Sequence, residues 1–461
     1  MSIHPQMNNL RPALGDIVSS IEARAPYGAV FLSSNSGMNI FIDNQQETVS
    51  QGDPTAGTVI TAFDGRTMRE RAIGGFDKES IQRGAQALLS EATFSNHTKI
   101  DPGPRRQGDF VTAMEIDPTT LSTKEKLERL RDLHQRVRKI DPKIVNVRIQ
   151  YRETREQSIF RNRHADLAQD IQRLVLFVFL TVSSEAGIRF NWLGKYGTAG
   201  WEILSFGDDE LQDFVETTFR LLGAERVEPG EYNIIAHPSV SGTLAHESFG
   251  HGVETDMFLK DRAKASSYLG QQIGSPAVEI WDDPSLPGEY GSYFFDHEGR
   301  IAEGTQIVDQ GIFRRGLTDL YSATALNIPR SPNGRRQDFS RKTYTRMSNT
   351  FFGQGTTPVD DLISQVEDGI YLKKSSSGME DPKGWGIQVT CHYGYEIKQG
   401  KVTGRMYAPI ALTGFVPQVL QSISAVGNDL KHSGGTCGKG HKEMVPISTG
   451  GPHLLLRARL G

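Results

Sequence analysis

Residues 239–256 read SVSGTLAHESFGHGVETD. Two imidazoles and a carboxylate within six residues are the groups a hydrolytic metal centre needs. A divalent ion takes about three protein ligands and keeps one position open for water, and a base that is not a ligand takes the water's proton. His246 and His251 offer the imidazoles and Glu247 the base. The spacing differs from H-E-x-x-H, in which histidines four residues apart share one helix face. Five residues on a regular α-helix advance ~500°, which leaves the two imidazoles about 140° apart. Convergence therefore requires a one-residue π-type bulge, or a helix that ends near Gly250 and lets His251 turn back. Taken alone, the string also fits a hydrogen-bonded cluster or a solvated helix end.

A third ligand must come from elsewhere in the chain. Cys437, in HSGGTCGKGH, leads because the glycines around it let the backbone approach a metal, and a neighbouring cation favours the thiolate. His432 and His441 flank the same loop and compete with it. Cys391–His392 ranks below them, since it lies in a strand-like run where one of two adjacent side chains points inward. The other reading of Cys437 is a small buried residue in a glycine-rich turn. A thiolate in the set favours Zn2+ over harder divalent ions.

The elements that would position these groups can be traced along the chain. EYNIIAH, just before the quoted segment, is a short strand, so strand, turn and helix present the H-E pair. Before it, 28–50 is expected to form two strands joined by a Ser-Asn-Ser-Gly turn, with another strand near 57–64. Helices are expected at 77–92, after the capping box of Ser122 and Glu125, and at 208–224. IVNVRIQYRET at 144–154 alternates as a half-exposed strand, and from about 290 onward short strands and glycines dominate. The reading is α+β, with an N-terminal α+β domain over 1–227 and a β-rich domain over 228–461 that carries the site helix. A chain of 461 residues exceeds one hydrophobic core, and its 48 glycines exceed the usual share of about 7%.

Composition excludes some functions. A net charge of −4 indicates neither nucleic acid nor an acidic membrane as a partner. The apolar run LVLFVFLTV at 174–182 is nine residues long, where a bilayer needs roughly 20. It is expected to be a buried strand. No basic and apolar leader pattern opens the sequence, and two cysteines do not make a disulfide framework. The expected compartment is the cytoplasm.

HESFGHGVETD (246–256) resembles the H-E-x-x-x-H signature of the TldD/PmbA metalloproteases. AVGNDLKHSGGTCGKG (425–440) is similar to the stretch carrying that family's zinc-binding cysteine, and 333–350 and 366–385 are similar to segments between the two. The resemblance implies zinc held by His246, His251 and Cys437, with Glu247 as general base. It further implies a C-terminal domain rich in antiparallel β structure, and a dimer, with itself or with a PmbA-type paralogue that lacks the signature. The implied activity is peptide hydrolysis, and the β-rich surroundings suggest a substrate paired in extended form with a strand edge, hence short or unfolded peptides.

Two rivals stand beside it. Arg335, Arg336, Arg341, Lys342 and Arg346, interleaved with Phe339 and Tyr344, would contact phosphates in a non-catalytic nucleic-acid or partner-binding protein. Alternatively, a fourth protein ligand, His432 or His441, would close the metal shell and make the ion structural.

Overall fold

The computed structural model describes residues 3–52, 54–95, 98, 100–440 and 442–461, the Lys442 side chain excepted. It has the α+β architecture expected from the sequence. The described strands before residue 200 form one eight-stranded sheet. Its spatial order is Met68–Gly74, Thr55–Phe63, Tyr27–Ile42, Ile144–Asn162, Ala165–Ser184 and Arg106–Val111. Glu47–Gln51 is added beside Tyr27–Ile42, and Gly187–Gly197 beside Ala165–Ser184. Only Arg106–Val111 pairs in parallel.

The two central strands have 19 and 20 residues, roughly 60 Å each at about 3.3 Å per residue. That length spans two cores. At one end Ile159 and Ala168 pack under the helices Leu14–Glu22 and Lys78–Ser90. At the other, Leu174, Leu176, Val178, Leu180 and Val182 pack under Thr123–Ile140 and Asp208–Arg220. The LVLFVFLTV run is thus a strand buried on one face, and Val175 and Phe177 of its other face border a cavity. The capping box of Ser122 and Glu125 is present.

One expected turn is absent. Ser34–Gly37 continues a single strand, Tyr27–Ile42, which pairs with Thr55–Phe63 up to Asn35 and with Glu47–Gln51 from Met38. On its other edge the whole segment is paired with Ile144–Asn162. A Cβ at Gly37 would stand 2.2 Å from the Glu153 carbonyl oxygen, so the glycine serves close strand approach. Ladder bonds on both edges override local turn propensity here.

The described strands after residue 229 form sheets of their own. Five of them, Gly230–Ala236, Leu454–Leu460, Ile410–Phe415, Gly386–Lys398 and Asp368–Asp381, pair in a ring that closes on itself. Ile234 and Ala236 point into the main core of this half and Ile235 into a separate cluster. A strand buried on both faces reads as an unbroken apolar run. A six-stranded sheet lies alongside and ends in the hairpin Lys431–Lys439 and Lys442–Gly451. The two halves meet through Phe31 and Phe160 against Phe295 and Leu320. Arg173 seals the junction by donating to the Tyr290 and Ser292 carbonyls at 3.0 and 2.9 Å. Among the described residues no helix is long and apolar enough to cross a membrane.

Candidate metal centre

The strand Gly230–Ala236 delivers the chain directly into a helix, Pro238–Phe249. Pro238 occupies its first turn, where a missing N–H costs nothing, and His237 Nδ1 caps it by accepting the Ser239 N–H at 3.2 Å. Ten of its twelve residues are buried, so it is an embedded helix without a solvent face. It packs on Asp368–Asp381, Asn349–Phe352, Lys431–Lys439 and Lys442–Gly451.

The helix stops where the spacing required it to. Phe249 is its last residue, Gly250 takes φ −95° and ψ −79°, and His251–Val253 forms a separate 3₁₀ turn. The shift of axis brings His251 back beside His246, with ring centroids 5.3 Å apart and planes at 80°. A Cβ on Gly250 would lie 2.2 Å from the His246 carbonyl oxygen and 2.9 Å from Met347 Sδ. Gly250→Ala is therefore expected to destabilise the protein by about 1–3 kcal/mol, as overpacked cores do, and to weaken metal binding. Urea unfolding together with a zinc titration checks this, and an alanine variant unchanged in both would contradict it.

Cys437 is the distant residue that arrives. Its Sγ lies 3.3 Å from His246 Nε2 and 3.0 Å from His251 Nε2, and the three donor atoms fall within 4.8 Å of one another. Sulfur and nitrogen donors at about 2.3 and 2.0 Å from a tetrahedral centre stand about 3.5 Å apart, and the two sulfur–nitrogen separations here are slightly shorter than that. Burial alone would push the Cys437 thiol up, but His246 and His251 pull it down to about 5. Burial opposes charge on His251 too, yet Cys437 and Glu254 hold it well above the usual histidine range. Both shifts favour a thiolate beside an imidazolium, and a metal cation would take the place of that proton.

Glu247 is not among these converging donors but lines the same cleft, of ≈ 1150 Å³. It is held under the strand Asp368–Asp381, where a Cβ on Gly378 would come within 2.6 Å of Glu247 Oε1. Only a glycine leaves that carboxylate its place.

Several residues of the site were not assigned to it from the sequence. Glu254 Oε2 lies 3.7 Å from His251 Nδ1 and 2.8 Å from Lys439 Nζ. Arg346, 1% exposed, reaches Glu254 Oε1 at 3.2 Å and the Cys437 carbonyl at 3.0 Å. Burial would raise the Glu254 carboxyl, but Lys439, His251 and Arg346 hold it well below the carboxylate range. Glu380 brings a second carboxyl into the cleft, and neither of its oxygens has a hydrogen bond of ordinary geometry. Burial drives it well above the usual range, with Glu247 and Glu254 adding to the shift against His251. The i, i+3 spacing of His251 and Glu254 was a readable signal, whereas Arg346 stood out only as part of the basic segment and Glu380 carried none.

The competing ligands among the described residues go elsewhere. His432 pairs with Glu289 at 3.3 Å and packs on Phe351. His441 lies outside the described residues. Cys391 is buried in the core while His392 Nε2 bonds the Phe190 carbonyl at 2.9 Å, so one side chain points in and the other out.

Comparison with known proteins bears on this constellation. Residues 229–459 match the family model described as the PmbA/TldA metallopeptidase C-terminal domain, and residues 116–225 match the corresponding central domain. A protein of Methanothermobacter thermautotrophicus named as a metalloprotease is 28% identical over 452 residues, 96% of this chain and 97% of its own. Another metalloprotease, from Archaeoglobus fulgidus, is 29% identical over 400 residues, 87% and 89% of the two chains. The crystal structure of a putative modulator of a DNA gyrase from Thermotoga maritima has the same fold. It superposes with a TM-score of 0.79 at 17% identity, covering 99% of this chain and 100% of that one.

Proposed function

Because the chain belongs to the PmbA/TldD metallopeptidase family, we propose that it is a zinc-dependent peptidase acting on short or unfolded polypeptides bound in extended form. The observation that carries this reading is the convergence of His246, His251 and Cys437 within 4.8 Å. Those three residues would hold Zn2+, which would supply Lewis acidity to a water and to the scissile carbonyl. Glu247 takes the proton of the attacking water and returns it to the leaving amine. Glu380 brings a second carboxyl into the same cleft, and burial favours its neutral form.

Extended binding is supported by unpaired strand edges around the cleft. Lys431–Lys439 ends its sheet, and beyond Leu372 the strand Asp368–Asp381 pairs on one side alone among the described residues. Both border the cleft, and an added strand satisfies such edges without regard to side-chain identity. Unfolded casein and short peptides are expected to be cut, a chelator to abolish cleavage, and Zn2+ to restore it. Efficient cleavage of a compact protein without prior unfolding, or full activity after chelation, contradicts the proposal. We place the enzyme in the cytoplasm and expect a homodimer or a heterodimer with a PmbA-type paralogue, which light scattering of the purified chain would distinguish.

The nucleic-acid rival has less support. Arg335, Arg336 and Arg346 of the basic segment are 3%, 4% and 1% exposed, and Arg336 and Arg346 are paired with Glu70 and Glu254. A structural ion needs a fourth donor, and the converging group has three among the described residues.

A further inference from the structure

We propose that the end of the cleft formed by Lys373 and Lys374 is a carboxylate subsite that anchors one end of the peptide and so fixes its direction. The inference rests on the peptidase reading and extends it to substrate class.

Successive residues of a strand point to opposite sides, yet Lys373 and Lys374 both line the cleft. Lys374 has a left-handed φ of 59°, and the register with Gly386–Lys398 slips between Ser375 and Ser377. A lysine is strained in that backbone region, and strain of this kind gathers at ligand sites. Here it sets two adjacent lysines on the same stretch of cleft wall.

Neither ammonium has an anionic partner within ion-pair distance among the described residues. Lys374 Nζ donates to Asn191 Oδ1 at 2.6 Å and to the Trp192 carbonyl, and stands 4.6 Å from the centre of the Trp192 ring. Lys373 Nζ lies over the Tyr371 and Tyr395 rings at 5.2 and 5.9 Å. Asp213 is the carboxylate whose field reaches Lys373, and Arg220 and Lys431 oppose it. Burial lowers the pKa of Lys374 to about 7, with Lys373 adding to the shift. At the neighbouring helix cap, burial and the fields of Lys373, His453, Lys431 and Lys374 press His237 down to about 3. Buried cations without a counter-charge are costly. A carboxylate entering the cleft supplies what the protein leaves unmatched.

The distance suits a peptide. Gly378, which touches Glu247, lies five positions along the strand from Lys373, and five residue steps span roughly 15 Å. A chain lying along this edge therefore carries its carboxylate about four residues from the bond being cut.

The test compares two otherwise identical hexapeptides, one with a free C-terminal carboxylate and one amidated, binding to the full-length chain stripped of metal so that nothing is hydrolysed. The free acid is expected to bind about tenfold more tightly, the scale of one charged hydrogen bond. Lys373→Met is expected to erase that ratio and Lys373→Arg to keep most of it, and a ratio within one preparation does not depend on how much of the variant is folded. A third, amidated peptide ending in glutamate assigns the site to side-chain carboxylates if it recovers the affinity, and to the α-carboxylate if it does not. Equal binding of acid and amide, or a ratio that survives Lys373→Met, overturns the subsite. Absence of cleavage by the zinc-loaded chain would instead overturn the peptidase reading.

Discussion

Replacing Glu247 by glutamine is expected to lower kcat by about three orders of magnitude while leaving zinc content and KM nearly unchanged. Glutamine matches glutamate in shape, so it fits the space left by Gly378 and keeps the packing of the buried helix. It differs in having no site for a proton. General-base contributions of this kind amount to about 10²- to 10⁴-fold. Because Glu247 stands apart from the converging donors His246, His251 and Cys437, the change leaves metal binding intact. Steady-state kinetics on a peptide substrate, with metal analysis of the same sample, decide the matter. A variant that turns over at the normal rate with its metal in place would remove Glu247 from the mechanism. The neighbouring Glu380→Gln is expected to have the smaller effect, since burial favours the neutral form of Glu380, which glutamine mimics. The reverse order would make Glu380 the base.

Arg346→Met is expected to be the most destabilising single change at the site. One guanidinium binds Glu254, which faces His251, and also the carbonyl of Cys437. It therefore joins the segments that carry two of the three candidate ligands. Removing it leaves Glu254, 1% exposed, with Lys439 as its remaining strong cation. Breaking a buried pair by deleting one partner costs about 3–5 kcal/mol, and loss of an outer-shell partner weakens metal affinity by about 10- to 100-fold. Urea unfolding and a competitive zinc titration measure the two effects separately. Arg346→Lys should fall between, because an ammonium keeps the charge but not the fork that spans both acceptors. Wild-type stability together with wild-type affinity in the methionine variant would show that the link does no structural work.

Much of the candidate centre was legible in the sequence because its logic is local. Helical geometry turns a five-residue spacing into a requirement for a break, and Gly250 was the residue able to provide it. The helices with strong caps, such as Thr123–Ile140 after its capping box, were legible for the same reason. The failures lie where distant strands decide. Ser34–Gly37 has the composition of a turn, but it is held straight by neighbours on both edges. The arginines of 335–346 read as a patch for phosphates, yet Arg335, Arg336 and Arg346 are buried, Arg336 against Glu70 and Arg346 against Glu254.

The sequence by itself determined the chemistry on offer, two imidazoles, a carboxylate and a thiol in glycine-rich surroundings, and the place where the helix must stop. These follow from side-chain types and from a backbone period that repeats every few residues. Only the tertiary structure decided which distant donor reaches the histidines. Cys437 meets His246 across 191 residues of chain and His251 across 186. The register of Lys431–Lys439 against Lys442–Gly451 helps to fix that meeting, and the partner of an edge strand is chosen by sheet pairing and buried ion pairs that no local pattern encodes.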